Sequence, residues 1–352
     1  LHGYGFVVDV AKVRAANLAV QEANHFGGGP FGGFGAFGAG APEPFASFLL
    51  LRGTAKAALD SCISGDGEAP LKLIITAVAC AGSGVACGIP VQHMREDTMT
   101  ELDLREKGLR GPAAMLISYF IPANGGLTKI SLAGNKLGEE GTKAICEALK
   151  QNKILKELDL SGYVGSNIGG VAGAKHVAGM LGVNSALTKL SLAWNKLKEE
   201  GTKAICEALK QNKTLKELDL SGHNNIGREV GAKHVADMLG VNSALTVANL
   251  LGNQLDVEST KMLAEVAKQK GISLCGIQRD QATADFCNKS LQPPDAIMLA
   301  SDLSQVIVTG VLTSLDLSNN SLCRVNRSTY TAEGITAIAD ALRVNCALTE
   351  AR

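Results

Sequence analysis

The residues of this 352-residue chain best equipped for nucleophilic, redox or metal chemistry are nine cysteines and six histidines. Their spacing argues against all three uses. No C-x-x-C occurs, and the cysteines are neither paired nor spaced like a disulfide or zinc framework. Cys146 and Cys206 stand at matching positions of a repeated segment, as do His176 and His234. Helices pack about 8–10 Å apart, so two steps along a stack separate such pairs by roughly 16–20 Å. A disulfide spans no more than about 7 Å between Cα atoms. The cysteines therefore read as buried thiols, which favours a reducing compartment, and the two histidines cannot share one metal. G-x-S-x-G, H-E-x-x-H, G-x-x-x-x-G-K-[ST] and a helix-opening G-x-G-x-x-G are absent. The expectation is a chain that is not an enzyme, with no catalytic residue, no metal and no cofactor.

Recognition chemistry is what the sequence offers instead. Polar residues recur two apart: Glu101 and Asp103, Lys129 and Ser131, Glu157 and Asp159, Lys189 and Ser191, Glu217 and Asp219, then Val247 and Asn249. On neighbouring parallel strands about 4.8 Å apart, all would point outward, with Lys129 between Glu101 and Glu157 and Lys189 between Glu157 and Glu217. The alternation suits a ladder of solvated ion pairs, each worth roughly 0–1 kcal/mol. It equally suits a mosaic face for a polar protein partner. Trp194 is the single tryptophan, and where it stands other repeats carry Gly134 and Gly252. So large a ring where glycine suffices is either an interface anchor or surface cover folded over Lys196 or the next rung. The pairs up to Asp219, together with Trp194, are the candidate protein-binding residues.

A repeat sets these positions. Residues 127–186 recur almost unchanged as residues 187–244, and across the 24 positions of residues 139–162 and 199–222 only Ile154 and Thr214 differ. Units open L-x-x-L-x-L-x-x-N-x-L, as in Leu127, Ile130, Leu132, Asn135 and Leu137. Apolar residues two apart, such as Ile130 and Leu132, face one side of a short strand while Lys129 and Ser131 face the other. The asparagine (Asn135, Asn195, Asn253, Asn320) follows the strand, where an amide bonds backbone groups that the turn leaves unpaired. Over residues 139–151 the apolar positions Ile145, Ala148 and Leu149 take helical spacing, with Glu139 and Glu140 at the start and Lys150 near the end. One such unit cannot bury its apolar side alone, so stacked units share a core between parallel strands and helices.

Units begin at Met99, Leu127, Leu155, Leu187, Leu215 and Leu245, advancing by 28, 28, 32, 28 and 30 residues. The longer steps carry insertions near residues 163–167 and 223–225. Beyond Leu255 the pattern frays. Residues 272–277 and 284–286 both look like strands, but too few residues separate them for a parallel crossover of about a dozen, which predicts a hairpin or a local break. Regularity returns at Leu312, followed by an inserted loop over residues 323–330 and a helix over residues 332–344.

The 28-residue step, the strand motif and the G-x-x-x-[IL]-[AC]-x-A-L helix of residues 141–149 resemble the ribonuclease-inhibitor-like subfamily of leucine-rich repeats, over roughly residues 99–352. The resemblance implies an α/β solenoid, a horseshoe with parallel strands on the concave face and helices on the convex face. For function it implies a protein–protein interaction module, binding a protein partner through the concave face and adjoining loops. The subfamily includes the ribonuclease inhibitor, the sensor ends of NOD-like receptors and the Ran GTPase-activating proteins. A regulator of a small GTPase and a structural spacer are therefore the alternatives.

Composition fits such a stack. Hydrophobic residues make up 46%, and Lys plus Arg equal Asp plus Glu at 34 each. Nothing in that balance marks a nucleic-acid or anionic-membrane binder, and no small-molecule substrate is expected either. The repeat domain is expected over residues 99–352, incomplete at its C-terminal end, because residues 348–352 begin a further unit. A chain opening on leucine reads as a fragment of a longer protein. Residues 1–98 do not follow the repeat: helical periodicity over residues 6–24, a Gly/Phe-rich linker at residues 25–44 and a second helix over residues 44–63. Residues 73–91 carry no charge over nineteen positions, long enough for a membrane span. Their Ala, Gly, Cys and Ser content favours instead a buried helix or strand pair capping the first repeat. A cytoplasmic location is the expectation.

Overall fold

The computed structural model describes residues 88–163, 165–324 and 330–352. The readings made for residues 6–63, and for most of residues 73–91, lie outside them. Among the described residues no helix is long and apolar enough to cross a membrane. The described residues fall into two units, residues 88–99 with 115–126 and the described part of residues 100–114 with 127–352. In the described part of the first, the short helix Val91–Arg95 (α1) precedes Asp97. The Asp97 carboxylate accepts the N–H bonds of Gly125 and Gly126, both at 2.9 Å.

The second unit is an α/β solenoid. Its strands Glu101–Asp103 (β1), Lys129–Ser131 (β2), Glu157–Asp159 (β3), Lys189–Ser191 (β4), Glu217–Asp219 (β5) and Val247–Asn249 (β6) form one parallel sheet in chain order. The register sets Leu102, Ile130, Leu158, Leu190, Leu218 and Ala248 in one buried row. Helices alternate with the strands: Gly111–Phe120 (α2), of which only residues 111–114 belong to this unit, then Gly138–Leu149 (α3), Gly170–Leu181 (α4), Lys198–Leu209 (α5), Arg228–Val241 (α6) and Val257–Lys270 (α7). The glycine that opens the helix motif has a packing reason. A Cβ at Gly201 of α5 would stand 2.9 Å from the Ala174 Cβ of α4, so glycine lets successive helices approach as closely as the strand spacing requires.

Strands of three residues make few ladder bonds, and two rows of asparagines supply what they lack. Asn195 is buried; its Nδ2 donates to the carbonyls of Leu160 (2.8 Å) and Ala193 (3.2 Å), and its Oδ1 accepts from the N–H groups of Asn167 (2.8 Å) and Ile168 (3.1 Å). Its own N–H goes to Asn225 Oδ1. The row runs Asn135, Asn167, Asn195, Asn225, Asn253. Asn167 and Asn225 had read as part of surface insertions; the chain instead spends the extra residues first and then returns to the buried position. A second row, which the sequence reading missed, lies where each helix hands over to the next strand. Asn184 Nδ2 donates to Leu149 carbonyl of the previous repeat (2.7 Å), while its Oδ1 accepts from Ala186 and Leu187 (both 2.9 Å). Asn212, Asn242 and Asn345 repeat the arrangement. Its signal is an asparagine three residues before the opening leucine, as at Leu155, Leu187, Leu215, Leu245 and Leu348.

A break, not a hairpin, interrupts the ladder after β6. Ser273 bridges Val247 in parallel, and Leu274 carbonyl accepts the Leu250 N–H (2.9 Å), but no further rung follows directly. A second parallel sheet begins with Thr283–Asp285 (β7) and continues through Ser314–Asp316 (β8) and Glu350–Ala351 (β9). Between these strands run Pro293–Leu303 (α8), Val306–Thr309 (α9) and Glu333–Val344 (α10). Two buried carboxylates of α8 answer the stranded donors. In regular rungs the N–H two residues past the last core leucine meets the next repeat's carbonyl, as Trp194 N–H meets Ser221 carbonyl at 2.9 Å. At Gly252 it meets Asp295 Oδ1 at 2.8 Å. Asp302 accepts from Leu274 N–H (2.9 Å), Cys275 N–H (3.0 Å) and Ser273 Oγ (2.7 Å). Burial pushes the Asp302 carboxyl up to about 6, against the pull of these donors.

Asn195→Ala strands the Asn167 and Ile168 N–H donors in the core, each worth roughly 1–3 kcal/mol when unsatisfied, while the Leu160 and Ala193 carbonyls keep Asn167 Nδ2 and Gly162 N–H. The variant is expected to lose at least about 2 kcal/mol in urea denaturation, with faster amide exchange concentrated over residues 160–195. For Asp302 the folded carboxyl holds its proton more tightly than its ordinary value of 3.8 allows. Its contribution is complete below that value and is lost as pH rises through about 6. Asp302→Asn should remove up to about 3 kcal/mol of pH dependence across this window, read as convergence of the two proteins' thermal unfolding curves.

Candidate functional site

The strand side of β1–β5 carries the polar residues singled out by spacing, and the register brings them into two columns. Glu101, Lys129, Glu157, Lys189 and Glu217 occupy the first, and Asp103, Ser131, Asp159, Ser191 and Asp219 the second. Lys129 Nζ stands 3.8 Å from Glu101 and 3.7 Å from Glu157, midway between its neighbours as expected. Lys189 departs from that symmetry, pairing with Glu217 at 2.9 Å, and Gln278 Nε2 also donates to Glu217 at 3.0 Å. Partial burial works against the Lys189 charge, but the hydrogen bond with Glu217 and the nearby carboxylates outweigh it and hold the ammonium above its usual range.

In the second column the partners are mostly not cations. Asp103 is the exception: Arg105 chelates it with bonds of 2.7–3.2 Å and holds its carboxyl down to about 2. Asp159 accepts from Ser131 Oγ (3.1 Å) and the Ser161 N–H (3.0 Å), and Ser161 Oγ in turn lies 2.7 Å from Ser191 Oγ. Asp219 accepts the Ser221 N–H at 2.9 Å. Burial, more than any other effect, raises its carboxyl above the usual range, and the charge of Asp159 adds to the rise.

Two of the expected outward positions turn out to be inside. Ser131 is buried, because its short side chain lies between the longer Asp103 and Asp159 of the flanking rungs. Val247 is buried as well. The chain leaving the break comes onto the strand side there, with Gly276 against the Asn249 amide and Gln278 on Glu217. The open face therefore ends at β5. Cys146 and Cys206 are buried free thiols as expected, and burial pushes both up to about 12. His176 sits on the helix side, 3.5 Å from Glu139.

Trp194 is the outlier. Its φ is 60°, in the left-handed region, and it is 49% exposed. The repeat imposes this backbone at the position, which Gly134, Gly252, Asn288 and Asn319, and Glu106 in the first repeat, fill with positive φ. Glycine or asparagine suits it; for other residues the left-handed region costs about 1–2 kcal/mol. The neighbouring repeats make room for the ring. A Cβ at Gly222 would fall 2.9 Å from Trp194 Cγ and Cδ2, and one at Gly162 would strike the Trp194 carbonyl. The ring thus lies across the next repeat, the rung that the surface-cover reading also named. Tyr163, in the adjoining insertion, is 73% exposed; the sequence reading passed over it, although an aromatic in a Gly- and Ser-rich insertion was a signal.

Asp285, Cys287 and Asp316 place three potential metal-ligand atoms within 4.8 Å of one another. The thiol accepts from Asn288 (3.1 Å), and the Ser318 hydroxyl, 3.2 Å from the sulfur, donates to Asp316 at 2.6 Å. Cys287 here takes the place that Ser161 has beside Asp159, so the cluster continues the hydroxyl-and-carboxylate column.

Comparison with known proteins agrees with this architecture. The family model described as Leucine Rich repeat matches residues 183–206 and 211–229. Human "NACHT, LRR and PYD domains-containing protein 13" is 34% identical over 172 residues, covering 49% of this chain and 16% of that protein. Pig ribonuclease inhibitor is 30% identical over 185 residues, covering 53% of this chain and 39% of the inhibitor. The chain thus spans well under half the length of either relative. A solved leucine-rich-repeat protein, LegL7 of Legionella pneumophila, aligns over 72% of this chain and 82% of its own, at 17% identity and a TM-score of 0.42. Residues 183–206 and 211–229 thus match leucine-rich repeats, and the chain's repeats are similar to those of ribonuclease inhibitor.

The ion pairs of the first column are exposed or half exposed and belong to the weak class. Lys189→Gln is expected to cost no more than about 1 kcal/mol in thermal unfolding, with the difference shrinking at high salt.

Proposed function

We propose that the strand side of β1–β5 and the turns that follow its strands bind another protein. The observation that carries this reading is Trp194. A large aromatic side chain stands in a left-handed position that other repeats give to glycine, to asparagine and, in the first, to Glu106, flanked by glycines that leave room for it, and about half of it faces water. Backbone strain of this kind collects at binding and switch sites, and tryptophan is enriched among interface anchors. Tyr163 on the neighbouring turn extends the aromatic edge. Glu101, Asp103, Lys129, Glu157, Asp159, Lys189, Ser191, Glu217 and Asp219 supply a polar surface of fixed spacing beside it. Ribonuclease inhibitor is named for inhibiting ribonuclease, which supports a protein as occupant of such a face.

Trp194→Gly tests the reading, because glycine relieves the left-handed strain while costing backbone entropy of similar size, about 1 kcal/mol. Its unfolding temperature should stay close to that of the parent. Proteins captured by the parent chain should be lost or bound about 2 kcal/mol or more weakly, whereas Val230→Ser on the helix side should leave capture unchanged. Equal capture by parent and Trp194→Gly would refute the assignment, and a large drop in stability would show the ring to be core.

A further inference from the structure

The balanced charge of the chain hides a segregation, which marks a second surface independent of the strand-side reading. Segments that lead from strand into helix mix both signs, with Lys136 beside Glu139 and Glu140, Lys198 beside Glu199 and Glu200, and Arg228 beside Glu229. Segments that lead from helix to the next strand do not. Residues 150–156 hold Lys150, Lys153 and Lys156, residues 210–216 hold Lys210, Lys213 and Lys216, and residues 268–274, up to the bridge at Ser273, hold Lys268 and Lys270. No aspartate or glutamate occurs in these segments, nor in residues 182–188, 240–246, 304–313 and 343–349, which make the same connection elsewhere. The helix dipole accounts for lysines at a helix end, as at Lys150, Lys210, Lys268 and Lys270. It does not account for Lys153, Lys156, Lys213 and Lys216, which lie beyond the helix ends and are exposed.

The backbone ladder sets these groups in register. Thr188 N–H meets the Lys156 carbonyl at 2.9 Å, Lys216 N–H meets the Thr188 carbonyl at 2.7 Å, and Thr246 N–H meets the Lys216 carbonyl at 2.9 Å. Lysine thus alternates with threonine along one edge, with Lys156 and Lys216 two rungs, or roughly 10 Å, apart. Lys153 Nζ reaches Ser185 Oγ of the intervening repeat at 2.9 Å. Lys150 pairs with Glu147 and Lys210 with Glu207, but among the described residues no carboxylate lies within 4.0 Å of the other six ammonium groups. The same edge is also apolar. Of the eleven large apolar side chains exposed among the described residues, six stand in these segments: Val183, Val241, Val306, Ile307, Val311 and Val344. Val183 and Val241 each precede a buried asparagine of the second row, where the lysine-bearing repeats carry Gln151 and Gln211. A Cβ at Gly271 would fall 3.2 Å from Ile307 Cγ2, so Ile307 stands against the residue that follows Lys270. Lysine-bearing and aliphatic segments therefore follow one another along the stack.

We infer that this edge docks on the surface of an anionic lipid bilayer, with its lysines among the acidic headgroups and its aliphatic side chains at the acyl boundary. Ammonium groups on flexible stems act as point charges and suit headgroups that move, whereas a fixed carboxylate favours the planar fork of arginine. Valines set singly between charged rows would each need a separate pocket on a protein partner. The hydrocarbon boundary receives them at any spacing. The lysines precede the strands and Trp194 follows one, so this edge and the Trp194 turn lie at opposite ends of the strands.

Co-sedimentation of the full chain with vesicles of phosphatidylcholine and phosphatidylserine, mixed roughly two to one, tests this. Binding to these vesicles is expected to fall as salt rises and to be absent with phosphatidylcholine alone. Lys153→Gln, Lys156→Gln, Lys213→Gln and Lys216→Gln together should weaken it by roughly tenfold or more. Lys143→Gln, Lys203→Gln, Lys233→Gln and Lys261→Gln remove the same charge from exposed helix positions and should change it less than about twofold. Val183→Ser, Val241→Ser and Ile307→Ser together, with every lysine retained, should weaken it by roughly tenfold as well. All these positions are exposed, so each variant should unfold at the temperature of the parent. No binding to the mixed vesicles, equal weakening by the helix-position variant, or undiminished binding by the serine variant would overturn the inference. Capture of polyglutamate or duplex DNA by a chain that ignores the vesicles would overturn it too, and would assign the edge to an acidic protein or a nucleic acid.

Discussion

A primary amide buried between repeats is the interaction on which the rest of this structure depends. Every turn of the solenoid leaves N–H donors on one repeat and carbonyls on its neighbour facing inward without water, and an unsatisfied group there costs roughly 1–3 kcal/mol. Asparagine answers both kinds at once, since its amide donates through nitrogen and accepts through oxygen. Asn195 does so across two repeats, and Asn184 does the same on the far side of the core. With strands of only three residues, these two rows do much of the work that a longer sheet would do with backbone alone.

The break after β6 shows the same rule in reverse. Once the next rung is missing, the carbonyl partners disappear and the N–H donors remain, so the group required is an acceptor without a donor. Asp295 and Asp302 are that group. Their cost is the burial of carboxyls, which raises both above the ordinary range. An amide at these places would bring its own N–H toward donors that need an acceptor.

Rigidity of the ladder then fixes the surface. Because the register runs unbroken from β1 to β5, outward side chains stand at a constant spacing, and similar charges are kept apart by the alternation of Glu101, Lys129, Glu157, Lys189 and Glu217. The second column lacks that alternation, with serine where the first has lysine. Trp194 stands at the end of this surface in a conformation that local energetics disfavours. The combination of a regular polar field and one strained aromatic is what separates this face from the helix side, where His176, Lys175 and their acidic partners form scattered pairs.

Periodicity alone determined the strands and helices of the regular units up to Leu255 and the outward rows of Glu157 and Lys189. Each follows from an apolar spacing within one unit, and near-identical units leave little choice of register. It also showed that a strand ladder could not continue simply past Leu255, because chain length between the two apolar segments is a covalent constraint. What it left open depended on groups distant in sequence. Asn167 and Asn225 were hidden by insertions that shift their number but not their place. Val247 and Ser131 alternate like exposed residues, yet one is covered by the chain returning from the break and the other by longer neighbours. The roles of Asp295 and Asp302 became visible only with the donors of Gly252 and Leu274 before them. Burial and hydrogen-bond partnership are properties of pairs brought together by folding, whereas spacing is a property of the chain itself.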